Sequence, residues 1–219
     1  MRRSWCVPVT LVSAVSAALL MLPGAAASAA TAASKNLILN PGAEAGAGST
    51  DGSTVPVPHW AVVSGGTFTA VQYGAAGGFP AKTDPGPTKR GANFFAGGPD
   101  SASAMAMQTD SLKAYKGIIA SGANYTFKAW LGGYADQDDD ATVQVAWYKS
   151  NGTLTGTVTL GPVTAADRDD QTGLLLQQTT GFIPAGSAKM VVTILMTRAE
   201  GDYNDGYADD LSFTVKAAG

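Results

Sequence analysis

The sequence predicts an all-β protein, an antiparallel sandwich of two sheets, on three observations. Apolar residues alternate with a period of two, not 3.6, through most of the chain from Trp60 to Val215. The alternating runs are short, and there are about ten of them. Turn formers separate the runs, drawn from 27 glycines and 11 prolines. Short strands of this kind bury their apolar faces by closing as two packed sheets.

Residues 1–29 read as a secretory leader. Arg2 and Arg3 supply a positive start, residues 7–22 an apolar run, and Ala27-Ser28-Ala29 a small-residue cleavage site. The run is shorter than the roughly 20 residues of a membrane span. Cys6 precedes it, which does not suit a lipid anchor. Cleavage after Ala29 would leave a single domain, 30–219, without the only cysteine and without two arginines, so the formal charge passes from −3 to −5. The expected product is secreted and carries neither disulfide nor thiol. An acidic chain with no basic stripe excludes nucleic acid as the natural partner, and no membrane insertion is expected.

The expected strands are 37–39, 60–63, 67–73, 93–96, 105–109, 124–131, 141–148, 154–160, 173–180, 189–198 and 203–215. In 124–131, Tyr125, Phe127, Ala129 and Leu131 share one face, while Thr126, Lys128 and Trp130 share the other. In 141–148, Val143, Val145 and Trp147 point inward. Ser150-Asn151-Gly152 is a hairpin turn signal. Residues 42–58 and 74–91 are long Gly/Pro-rich loops, and only 111–116 and 165–168 suit a helical turn. The last strand opens on a polar turn, Asn204-Asp205-Gly206, and places Leu211, Phe213 and Val215 on one face. Asp209 and Asp210 sit where it enters the core, and charge there requires a basic side chain or a metal ion.

Three features occur together: Asn-Leu-Ile-Leu-Asn-Pro-Gly-Ala-Glu at 36–44, Trp60 after a variable loop, and Tyr-Ala-Asp-Asp-Leu-Ser-Phe at 207–213. In this combination the chain resembles the jelly-roll carbohydrate-binding modules and galactose-binding-like sandwiches appended to bacterial glycoside hydrolases. Ala43 stands where that family usually has Phe before the glutamate. The resemblance implies a jelly-roll β-sandwich, a glycan or polysaccharide as partner, and a structural calcium ion at Glu44, Asp209 and Asp210. The chemistry suits it, because calcium takes about six to eight oxygens and two carboxylates with loop carbonyls can supply them. The same aspartates also suit a role as acceptors for turn amides.

The acidic loop at 134–140 offers Tyr134, Asp136, Asp138 and Asp140, with Asp-x-Asp-x-Asp spacing but no following glycine and distal glutamate of a helix–loop–helix calcium site. It reads either as a solvated loop tip or as one wall of a ligand site opposite Tyr203, Asn204 and Asp205. Carboxylates accept hydrogen bonds from vicinal sugar hydroxyls, and an aromatic ring covers the apolar sugar face. Trp130, Tyr134, Tyr203 and Tyr207 are the available rings. Arg168 and Arg198 stand beside acidic residues and read either as loop-closing ion pairs or as donors to a sugar.

His59 is the only histidine, and no nucleophile elbow, zinc motif or phosphate loop is present. Triad and zinc chemistry are thereby excluded. A carboxylate-pair glycoside hydrolase or lyase remains open, with no catalytic residue singled out. A binding module commonly accompanies a catalytic domain, and none is expected beside this one. That keeps a second reading open, a secreted or cell-surface structural protein using the same fold to bind a protein partner.

Overall fold

The computed structural model describes Met1 and residues 32–218; the rest of the expected leader lies outside the described residues. Ten strands follow one another: β1 (Ala61–Ser64), β2 (Thr69–Gln72), β3 (Asn93–Pro99), β4 (Ser103–Ser111), β5 (Ala123–Gly133), β6 (Asp140–Tyr148), β7 (Leu154–Leu160), β8 (Gly173–Ile183), β9 (Lys189–Thr197) and β10 (Tyr203–Ala217). They form two five-stranded antiparallel sheets, ordered β1-β4-β9-β6-β7 and β2-β3-β10-β5-β8. This is the jelly-roll β-sandwich. Both places that suit a helical turn hold one: Lys113–Tyr115 leading into Lys116–Ile119, and Ala166–Arg168. Among the described residues no helix is long and apolar enough to cross a membrane.

Alternation decides which side chains meet between the sheets. Val143, Val145 and Trp147 of β6 and Val192, Ile194 and Met196 of β9 face Phe127, Leu131, Leu211 and Phe213 from the other sheet. Phe213 stacks on Tyr125 with centroids 5.2 Å apart, and Trp147 lies 5.9 Å from it. A second apolar cluster covers the far face of the second sheet: Val71, Tyr73, Phe79, Phe94, Ala96, Leu174 and Tyr207, with Trp130, Tyr134 and Tyr203 packed against it. A sheet that is apolar on both faces needs a cover on each. Here the cover is the long loop that leads from β2 to β3.

Two expectations are corrected. Residues 37–39 are not a strand: Leu37 N–H donates to Phe213 C=O at 2.9 Å, but Leu39 N–H then turns to the Gln108 side chain. Asn40, with φ +44°, and Pro41 prevent the ladder from continuing. Residues 204–206 do not form a turn ahead of the last strand but lie within β10, where the register against β3 shifts between Asn204 and Tyr207. The Asn204 side chain bonds Gly206 N–H at 3.2 Å and so imitates a turn inside a strand.

Candidate functional site

The ends of the domain do lie side by side. Ser34 N–H and Leu37 N–H donate to the carbonyls of Val215 and Phe213, and the Asn36 side chain bridges Leu211 C=O and Phe213 N–H. This pairing brings the first carboxylate to the last two. A methyl group added at Gly42 would stand 3.1 Å from Asp209 Oδ1, 3.4 Å from Asp210 Oδ1 and 3.9 Å from Glu44 Cγ. Among the described residues no three acidic, histidine or cysteine side chains form a ready-made metal cluster. The Glu44 carboxylate itself lies against Gly91 and accepts from Asn93 N–H at 2.8 Å.

Asp209 is 0% exposed. Tyr73 Oη donates to its Oδ2 at 2.6 Å and Asp210 N–H to its Oδ1 at 2.7 Å. Burial pushes its carboxyl up to about 8; the Tyr73 hydroxyl opposes that shift, and Asp210 and Glu44 add to it. Burial, followed by the Glu44 charge, also raises Asp210. The backbone is left-handed at Ala43 (φ +61°) and Asp210 (φ +45°), and β10 shifts register against β5 between Asp209 and Ser212. Such conformations persist only where the surroundings enforce them.

A separate cavity of about 270 Å³ opens where the loops meet, lined by Asp51, Gly77, Phe79, Tyr134, Tyr203 and Asp205. Phe79 and Tyr203 meet edge to face, 5.1 Å between centroids at 72°. Tyr203 Oη donates to Gly52 C=O at 3.0 Å. Gly52 has φ +82°, and a Cβ there would stand 2.4 Å from the Phe79 ring, so only glycine lets the 42–58 loop close on the wall. Phe79 is held in turn through its loop. Arg90 lies 5.0 Å over the Tyr73 ring and donates to the carbonyls of Pro87, Ala81 and Asp84.

The two carboxylates of the cavity differ in character. Hydrogen bonds from the Ser53 hydroxyl and amide, and from Ser49, hold the exposed Asp51 down to about 2. Burial lifts Asp205 up to about 6; a hydrogen bond from the Tyr207 hydroxyl opposes this, and the Asp139 charge adds to it. The cavity thus presents one carboxylate that is ionised at any ordinary pH and one that gains a proton in mild acid.

Of the residues expected at a ligand site, Tyr134, Tyr203 and Asp205 come together in this cavity. The others do not line it. Trp130 points away from the main core, as alternation requires, and packs against the second cluster. Asp136 and Asp138 are exposed, and Asp138 accepts a bond from Ala165 N–H at 3.3 Å. Asp140 is half-buried, its pKa raised by burial and then by Asp139 and Asp138. Asn204 is fully buried, donating to Ser101 C=O and Met196 C=O.

Arg168 is 4% exposed and donates to the carbonyls of Gly133, Ala135, Gln171 and Gln137. Arg198 donates to Asp202 C=O at 2.8 Å. Both arginines close loops, and they do so through carbonyls instead of carboxylates.

The residue that sequence reasoning passed over is Asp139. It is 0% exposed, and its Oδ1 accepts from Ala199 N–H at 2.7 Å and Glu200 N–H at 3.0 Å, its Oδ2 from Asp205 N–H at 2.8 Å. It fixes the 199–205 segment, and with it Tyr203 and Asp205. A signal was present: the inward parity of Ala141, Val143, Val145 and Trp147, extended backwards, falls on Asp139 and not on Asp138 or Asp140. Phe79 and Asp51 carried no comparable signal, because each sits in an irregular loop.

Replacing Asp139 with Ala leaves three amides without their acceptor and should cost about 3 kcal/mol. Urea denaturation measures the loss, and hydrogen exchange should accelerate at the amides of 199, 200 and 205 before elsewhere. Asp205 gives a pH signature. Its folded pKa of about 6 stands above the reference value of 3.8. Its contribution therefore favours the fold fully at pH below that reference and is lost as pH rises through about 6. Between pH 4 and 7 the Tm of the natural chain should fall relative to that of Asp205→Asn, as read by circular dichroism.

No protein-family model matches the chain, and no curated protein is detectably similar to it in sequence. Solved structures are similar to it in shape. The enzymatically active domain of tailspike protein 4 of bacteriophage CBA120 matches with TM-score 0.50 and 11% identity over 82% of this chain. The match spans 21% of that protein. A family 16 carbohydrate-binding module has TM-score 0.46 and 23% identity, covering 81% of this chain and 99% of the module. A family 61 module in complex with β-1,4-galactotriose has TM-score 0.42 and 16% identity, covering 82% and 98%. At this identity the likeness to the tailspike domain is one of fold alone.

Proposed function

We propose that the protein is a secreted glycan-binding module whose site is the cavity between Tyr134, Tyr203, Phe79, Asp51 and Asp205. One observation carries the reading: segments far apart in the chain bring three aromatic rings and two carboxylates to one concavity. Rings cover the apolar face of a sugar, while an ionised carboxylate accepts from adjacent hydroxyls. Asp51 is the stronger acceptor at low pH because its own turn keeps it ionised. In Asp205 one oxygen is engaged by Tyr207, which leaves the other for a ligand hydroxyl. At about 270 Å³ the cavity is small for an oligosaccharide and suits a single sugar unit at a chain end or branch.

The structural calcium belongs to this proposal. Glu44, Asp209 and Asp210 would hold it with main-chain oxygens, and the ion would supply the positive charge that these neighbouring carboxylates lack. Support comes from the approach of the Asp209 and Asp210 oxygens to Gly42, from the charge of Glu44 felt by both aspartates, and from the left-handed backbone at Ala43 and Asp210. The cation would stabilise the middle of β10 beneath the second apolar cluster and would not touch the sugar.

A glycan array read with the natural chain should show binding, and Asp51→Ala and Tyr134→Ala should each weaken the best interaction by about tenfold, the scale of one lost polar or stacking contact. Unchanged affinity in both variants with intact circular dichroism places the site elsewhere. For the ion, elemental analysis of the purified protein should find one calcium per chain, and chelation should lower Tm by several degrees. A metal-free protein whose Tm does not move on adding calcium removes this part of the proposal.

A further inference from the structure

The end of the sandwich away from the cavity has a different chemistry. Strand β9 pairs Thr197 with Ser103 and Asp140 at one end and Lys189 with Ser111 and Tyr148 at the other. Segments 134–140, 165–170 and 198–205, at the Thr197 end, carry ten carboxylates and two arginines. Segments 111–120, 148–153 and 184–190, at the Lys189 end, carry Lys113, Lys116, Lys149 and Lys189 and no carboxylate. An acidic protein has therefore gathered four lysines at one end, with Asp110, opposite Met190, as the neighbouring carboxylate.

A groove of about 700 Å³ opens there, between the helical turn after β4 and the turn joining β8 to β9. Leu112 and Ile119, each 1% exposed, belong to the main core and form its floor. Ala120 and Ala188 continue the apolar wall, and Lys113, Lys116 and Lys189 line it. Leu112 N–H donates to Ala188 C=O at 2.9 Å, which ties the two sides together. The Lys189 ammonium lies 5.2 Å over the Tyr148 ring, so one cation is placed by a contact of its own. The volume falls within the ordinary range of small-molecule sites, roughly 300–1,000 Å³.

We infer that this groove binds an amphiphile with an anionic carboxylate head and an apolar tail, the tail against Ala120, Ala188 and the aliphatic stems of the lysines and the head among the ammonium groups of Lys113, Lys116 and Lys189. A sugar is a poor occupant, because no aromatic platform or carboxylate lines the groove. A neutral lipid is a poorer occupant, since it would gain nothing from the lysines that line the groove. Screening confines the attraction to about 8 Å at physiological ionic strength. The distant acidic end therefore does not cancel it.

The test is titration calorimetry of the full chain with decanoate, below its micellar concentration, against 1-decanol and acetate as controls for tail and head. One decanoate should bind per chain, with amide shifts in NMR spectra at Ala120 and Ala188. Decanol and acetate should each bind at least tenfold more weakly. Lys113→Gln and Lys116→Gln lie on exposed side chains and should each weaken decanoate about fivefold, the upper range of one exposed charge contact. Ala120→Trp should block the groove while leaving glycan-array binding unchanged. Failure of decanoate to bind, equal binding of decanol, or undiminished affinity in both lysine variants overturns the inference. So does a trigalacturonate that binds in decanoate's place.

Discussion

The structure depends on a carboxylate buried in the middle of a sheet. Strand β10 lies between β3 and β5 and must be apolar on both faces, yet it carries Asp209 with no exposure to solvent. A charge there is costly unless compensated, and the compensation organises its neighbourhood. Tyr73 reaches over from the end of β2 to donate its hydroxyl, and the Asp210 amide turns back through a left-handed conformation to donate as well. Tyr73 then belongs at once to the acidic cluster and to the second apolar cluster. The cover of the second sheet is thus pinned from beneath by the group that is hardest to bury.

Two arginines extend the same logic to the loops. A chain without regular secondary structure leaves carbonyls with no ladder partner, and each must be satisfied. Arg90 does this for the loop carrying Phe79, and Arg168 for the loop carrying Tyr134. Asp139 is the complement, an acceptor that collects amides where the arginines, as donors, collect carbonyls. The cavity walls are therefore held by contacts within the chain itself, and walls already in place would lower the ordering cost of a ligand. The charges one would first assign to recognition are largely spent on holding loops.

The ends of the sandwich divide the chemistry between them. Carboxylates crowd the end where β9 finishes, and lysines the end where it begins. A strand of nine residues separates the two, a span of about 30 Å at 3.3 Å per residue. That is several screening lengths, so each end meets its surroundings on its own terms.

The sequence by itself determined the class of fold, because a period of two in the apolar residues can be buried only by pairing strands and stacking sheets. Strand 154–160 was legible to the residue, and the division of 124–131 into two faces and the inward face of 141–148 were read correctly from alternation alone. The adjacency of the two ends was legible too, from motifs at both termini. Only the tertiary structure assembled the cavity. Asp51 and Phe79 reach it from loops with no period to read, and Asp139, not its exposed neighbours, is the acid that matters inside. Local pattern reports which face a residue takes, whereas a cavity is made by contacts between segments about a hundred residues apart, and those exist only once the sheets have closed.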